Sequence, residues 1–194
     1  MILPIVAYGD PVLKKRAQEI APDHEGLQEL IDNMFETMDA ALGVGLAAPQ
    51  IGQSIRLFIV DGSPFAEDEE DEKAQSVKDF REVFINAEML DEFGEPWVFQ
   101  EGCLSIPNIR EDVQREGSIR IRYFDREWKE HEREFDGYAA RIIQHEYDHI
   151  EGILFTDHLK PLKRRMLKRR LSDISKGLID VNYRMRFPVA KTRR

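Results

Sequence analysis

The stretch Gln144-His145-Glu146-Tyr147-Asp148-His149 decides how this chain is read. On a helix, His145 and His149 stand four residues apart, hence about 40° apart in rotation and ~6 Å along the axis, so both imidazoles reach one metal ion. Glu146 projects beside them, at the spacing of a general base that meets a water on that metal without becoming a ligand. Two imidazoles do not complete a catalytic site, which takes three protein ligands and keeps one position open. Histidines at this spacing also occur on solvated helix faces, so the motif needs a third ligand.

The flanking residues support a helix. Asp136 can cap one that starts at Gly137, and Gly152 is placed to end it. Upstream, Ser118 to Phe124 and Trp128 to Phe135 read as a hairpin that turns near Asp125 and Arg126, and Glu82 to Leu90 and Ile55 to Val60 read as strands. Leu27, Leu30, Ile31, Met34, Phe35, Met38 and Leu42 recur at helical spacing between Glu25 and Leu42, with Asp23 as a possible cap. A basic amphipathic helix is expected from Pro161 to Lys176, its apolar side marked by Leu162, Met166 and Leu167 and its end by Gly177. The period-two alternation of Ile179, Val181, Tyr183, Met185 and Phe187 suggests an edge strand. The fold class is therefore α+β: mixed and antiparallel strands around a central HExxH helix, with an N-terminal and a C-terminal helix.

At 194 residues a single domain over 1–194 is expected. Residues 62–80 hold seven acidic residues and two lysines and read as a solvated surface insertion; 178–194 read as a tail. The formal charge of -9 argues against a whole-surface positive field, so no DNA partner is expected. Apolar runs such as Leu57 to Val60 fall far short of a membrane span, and the start lacks a signal-peptide pattern, so the expected location is the cytoplasm.

The single cysteine, Cys103, cannot form an internal disulfide. Composition favours a buried small hydrophobe, with a reactive thiol or a metal ligand as alternatives. It stands in Glu101-Gly-Cys-Leu-Ser-Ile-Pro107, where Gly102 lets the backbone bend closely and Pro107 ends the segment. As a thiolate it is the obvious third ligand. Gly43-Val-Gly-Leu-Ala-Ala-Pro-Gln50, taken alone, reads as a glycine-bearing structural loop.

With these three motifs in this order, the sequence resembles the peptide deformylase family, from the N-terminal segment through about residue 165. The resemblance implies a divalent metal held by Cys103, His145 and His149, with Fe²⁺ native and Zn²⁺, Ni²⁺ or Co²⁺ as replacements. It implies Glu146 as base and acid, and an oxyanion held by the Gln50 side chain and the Leu104 backbone N–H. Substrate contacts carry over to Val44, Gly45, Gly102, Arg110, Tyr138 and Ile142, of which Val44, Tyr138 and Ile142 surround a methionine side chain. Glu101 and Ser105 are expected to support the Cys103 loop. The implied reaction is hydrolysis of N-formyl-methionyl nascent peptides to formate and a free amine, and the basic helix 161–176 is a possible ribosome contact.

Two rival readings differ in their ligands. A zinc endopeptidase with HExxH takes its third ligand downstream, whereas Cys103 lies upstream; a structural metal module needs four ligands, and one cysteine is available. His24, His131 and His158 lack partners at ligand spacing and read as surface or capping residues.

Overall fold

The structure, a computed structural model, describes residues 1–67 and 72–188. Its elements in chain order are β1 (Ile5–Val6), α1 (Leu27–Ala40), β2 (Gly45–Ala47), β3 (Leu57–Asp61), α2 (Glu72–Gln75), β4 (Arg81–Phe93), β5 (Trp97–Cys103), β6 (Ile106–Arg115), β7 (Ser118–Phe124), β8 (Glu130–Asp136), α3 (Gly137–Glu151), α4 (Pro161–Ser175) and β9 (Met185–Arg186). Among the described residues, the strands form a five-stranded antiparallel sheet in the order β2-β3-β4-β7-β8, a β5-β6 hairpin and a parallel β1-β9 pair. The class is α+β, as the patterning requires.

The unbroken apolar run of β3 has a physical reason: the sheet is covered on both faces. Leu57 and Ile59 pack with Ile31, Met34 and Met38 of α1, while Phe58 and Val60 join Ala140, Ile143 and Ile150 of α3. Phe58 stacks on Phe84 with ring centroids 4.7 Å apart. Each such fully buried side chain contributes about 1.5–3 kcal/mol. The third apolar cluster lies apart from the large sheet. There Ile106, Ile109 and Val113 of the hairpin meet Leu154, Phe155 and Leu159, and Leu167, Leu171 and Ile174 of α4 close over them. The helix that carries His145 and His149 is thus fixed between the sheet and the hairpin that carries Cys103.

Several local expectations are corrected. α1 begins after Gly26, whose φ of 70° makes it a left-handed cap without a side-chain bond, so Asp23 caps nothing. Leu42 lies beyond the helix at φ 55° and is 92% exposed, because the chain leaves α1 before the apolar stripe completes another turn. Asp136 holds the N-cap position of α3 without a side-chain hydrogen bond, whereas Gly152 ends the helix as expected, at φ 76°. On α4 the buried side is Leu167, Leu171 and Ile174, while Leu162 and Met166 face outward. The 3.6-residue period turns those two by more than a quarter circle from Leu167.

The GVGLAAPQ segment is not a plain loop: Gly45–Ala47 pairs with β3, and Ala48–Ile51 forms a 3-10 turn. Pro107 does not end its segment but sits inside β6, which among the described residues pairs only with β5 and so has an open edge that tolerates a missing N–H. The described parts of 62–80 are helical turns at Ser63–Glu67 and Glu72–Gln75, with Ala74 and Val77 buried; the most acidic part, 68–71, lies outside the described residues. The period-two tail condenses to the two-residue β9 against β1. No described helix is long and apolar enough to cross a membrane.

Candidate metal centre

Cys103 closes β5, and its register shifts against β6 at Gly102 and Cys103, which turns the thiol toward α3. Its Sγ stands 3.3 Å from Nε2 of His149. One donor atom each from Cys103, His145 and His149 lies within 4.8 Å of the others. Sulfur and nitrogen donors at ~2.3 and ~2.1 Å from a tetrahedral metal would be ~3.6 Å apart, so the three fit one ion. Cys103 and His145 are part-buried and His149 is buried, leaving the centre one partly open side.

Glu101, two residues before Cys103 and on the same side of β5, orients His145: Nδ1 stands 2.9 Å from Glu101 Oε2. A carboxylate only accepts, so Nδ1 carries the proton and Nε2 is free to ligate. Glu101 is itself held by Arg115, through Nε at 2.7 Å and Nη2 at 3.0 Å, and by Arg141 Nη1 at 3.0 Å. Arg115 also reaches Asp148 at 2.8 Å, and Asp148 lies 2.7 Å from Nε2 of His158. Burial pushes the Glu101 carboxyl up, but hydrogen bonds from His145 and Arg115 outweigh it and hold the group well below the usual carboxylate range.

The thiol and the second carboxylate move in opposite directions. Burial raises Cys103, but the charge of His149 and hydrogen bonds from His145 and His149 prevail and pull it down to about 5, which favours the thiolate form. Glu146 is raised to about 7 by burial, against the lowering charges of His145 and His149. Its Oε2 is buried with no partner among the described residues, and so is Nδ1 of His149. Gly45 of β2 makes room for this carboxylate: a Cβ there would lie 2.4 Å from Glu146 Oε1.

Gln50 is buried and oriented. Its Oε1 accepts from Ala47 N–H at 2.8 Å, so its amide NH₂ must point the other way, with Nε2 at 3.4 Å from both Cys103 Sγ and Ser105 Oγ. The geometry sets a thiolate, two imidazoles, an unpaired carboxyl and an amide donor around one point.

The family model described as polypeptide deformylase matches residues 2–165. The chain belongs to the polypeptide deformylase family. The peptide deformylase of Christiangramia forsetii is 58% identical over 196 residues, covering 100% of both chains. That of Cytophaga hutchinsonii is 55% identical over 191 residues, covering 98% of this chain and 100% of its own. Among solved structures, a peptide deformylase from Legionella pneumophila superposes with a TM-score of 0.76 at 38% identity, over 92% of this chain and 98% of its own. As a deformylase, the protein is a hydrolase that removes the N-formyl group from nascent peptides.

The expected deformylase site residues fall at different distances from this centre. Cys103, His145, His149, Glu146, Gln50 and Gly45 converge as described, and Glu101 and Ser105 brace them. Leu104 follows Cys103 and packs its side chain against Gly43, where a Cβ would come within 2.8 Å of it. Arg110 is exposed and lies across Gly102, its register partner, where a Cβ would meet Arg110 Cγ at 3.2 Å. Ile142 is buried against the sheet with Val44 beside the same cluster. Tyr138, two turns before His145, belongs to an aromatic group, stacked on Phe65 at 4.9 Å and edge-on to Phe99 and Trp97. A cleft of about 530 Å³ opens beside Tyr138 and Trp97 at the N-terminal end of α3.

Sequence reasoning missed Arg115, Arg141, Asp148, His158 and Phe65. A signal existed for Arg141, a lone charge between Ala140 and Ile142-Ile143 on a helix otherwise apolar there. His158, expected as a surface residue, is exposed but paired with Asp148, and His131 pairs with Asp125 at 2.6 Å in the hairpin turn.

Proposed function

We propose that this deformylase works through one divalent metal on Cys103, His145 and His149, with Glu146 as its proton carrier, acting on N-formyl-methionyl peptides. The observation that supports this reading is the convergence of three donor atoms within 4.8 Å beside an unpaired buried carboxyl. The donor set, one thiolate and two imidazoles, suits iron(II), the metal proposed here, as well as zinc, nickel or cobalt. When bound, such an ion supplies Lewis acidity at the formyl carbonyl and makes water more acidic. Metal analysis of anaerobically purified protein tests the identity: iron is expected, and zinc alone in fully active protein would refute it.

Glu146 takes the proton of the attacking water at its unpaired oxygen and returns it to the amine nitrogen as the C–N bond breaks, giving formate and a free N-terminus. A carboxyl titrating at about 7 is suited to both transfers near neutral pH. Negative charge on the formyl oxygen is met by the Gln50 NH₂ and the Leu104 N–H, and losing one such donor typically costs ~3 kcal/mol. Val44, Tyr138 and Ile142 would wall the methionine side chain, while Gly45, Gly102 and Arg110 would meet the peptide backbone. Formate release from a formyl-Met peptide should fall ~10²-fold or more in Glu146→Ala; equal rates would sink the assignment.

For the basic helix, the supporting observation is exposure. Lys160, Lys163, Arg164, Arg165, Lys168, Arg169 and Arg170 are all exposed, on a chain of net charge -9. We propose that α4 contacts ribosomal RNA and that the enzyme works in the cytoplasm. Binding to ribosomes should weaken steeply with salt, and no binding at low salt would end the idea.

A further inference from the structure

The stretch matched by the family model stops at residue 165, yet residues 178–188 run back to the catalytic turn. Ile179, Met185 and Phe187 pack against the hairpin and α4 cluster, while Tyr183 packs against the α1 cluster instead. Its phenol O–H donates to the carbonyl oxygen of Leu104 at 2.7 Å. The next carbonyl, that of Ser105, accepts from the backbone N–H of Tyr8 at 2.8 Å, just past β1. β1 and β9 are themselves paired, with Ile5 N–H donating to Arg184 O and Ala7 N–H to Arg186 O, each at 2.9 Å. The segments around β1 and β9 therefore meet, and Tyr183 and Tyr8 hold consecutive carbonyls of the turn after Cys103.

We propose that Tyr183 is a positioning residue for deformylation: it fixes the Leu104 peptide so that the Leu104 N–H stays aimed at the developing oxyanion. The proposal rests on the reading of Leu104 as an oxyanion donor. Three contacts then hold Leu104. Its side chain is wedged against Gly43, its carbonyl is tied by Tyr183, and the residue after it is tied to Tyr8, just past β1. Among the described residues, Tyr183 is the side chain that donates to this carbonyl. A donor free to swing gives up preorganisation, which matters in the transition state more than in the ground state.

The test is Tyr183→Phe, which removes one oxygen and keeps the ring in its apolar seat. In metal-matched protein, kcat on a formyl-Met tripeptide is expected to fall about tenfold with KM within about twofold, a fraction of the 10²–10³ lost when an oxyanion donor is removed outright. In parallel, hydrogen–deuterium exchange over residues 101–107 should accelerate, while that of β3 stays unchanged. An unchanged kcat overturns the proposal, and so does a fall in kcat with unaltered exchange in 101–107 or one that disappears when rates are divided by folded, metal-loaded enzyme. If the wild type releases no formate, the proposed function fails by itself. The exchange arm then still decides whether Tyr183 holds the turn.

Discussion

At the scale of the residue, this site depends on an absence as much as on its reactive groups. Gly45 has no side chain, and the Glu146 carboxylate occupies the vacated volume: an added Cβ would lie 2.4 Å from Oε1 and 2.7 Å from Cδ and Cγ. Contacts that short cannot be met without moving the carboxylate, and if Glu146 is the proton carrier proposed above, a displacement of ~1 Å costs on the order of 10²-fold. Gly45→Ala should therefore lower kcat by roughly that factor while the protein unfolds at a nearly unchanged urea concentration. A rate within twofold of wild type would show that Glu146 has another workable position. The HEYDH pattern shows the carboxylate but not its neighbour, since nothing in a linear sequence says that a glycine 101 positions upstream will abut it.

Among the elements, α3 carries His145, Glu146 and His149 of the proposed centre, and its ends are set by different means. Its N-cap, Asp136, makes no side-chain bond, so the start of the helix is held by packing and by the strand before it. Its end is held by Gly152, at φ 76°, three residues past His149. A Cβ on Gly152 would meet the backbone of Lys14 at 2.8 Å, which cannot swing aside as a side chain can. Gly152→Ala should cost about 2–3 kcal/mol, combining left-handed strain and this clash, measurable by urea unfolding of the metal-free protein. A loss below 0.5 kcal/mol would contradict it. The helix and its stop were legible because glycine at C′ has a local cause. Strands β5 and β6 were not, because EGCLSIP carries a glycine and a proline that read as breakers when the edge position of the hairpin is unknown.

For the whole molecule, the buried charge network ties the hairpin to α3 and sets the acid limb of stability. Glu101 has side-chain contacts to Arg115, Arg141 and His145, and Asp148 to Arg115 and His158. For Asp148 burial acts upward, but the hydrogen bond of His158 and the charge of Arg115 hold it below 3.8; Glu101 likewise lies below its ordinary 4.5. Folded values below unfolded ones mean that the unfolded chain binds protons first. The stability both groups contribute is thus complete above pH ~4.5 and is lost as pH falls toward their folded values. Glu101→Gln should flatten that acid limb in metal-free protein. It should also cost about 3–5 kcal/mol at pH 7, because Arg115 and Arg141 are left buried and under-paired. An acid limb as steep as wild type would show that Glu101 does not carry it.

Local patterning was enough to mark the candidate groups and the fold class. Helical spacing joins His145, Glu146 and His149, and period-two and 3.6-residue patterns locate the sheet and its covering helices, because these depend on near neighbours in the chain. What stands around them came from folding: Cys103 brought 42 positions to His145, the Arg115 and Arg141 charges gathered on Glu101, and Tyr183 laid on Leu104. Those contacts form where burial of separate elements closes the chain on itself, and their partners are set by packing rather than by spacing. The proposed metal ligands were therefore readable as a list of residues, while the support that orients them was readable only in three dimensions.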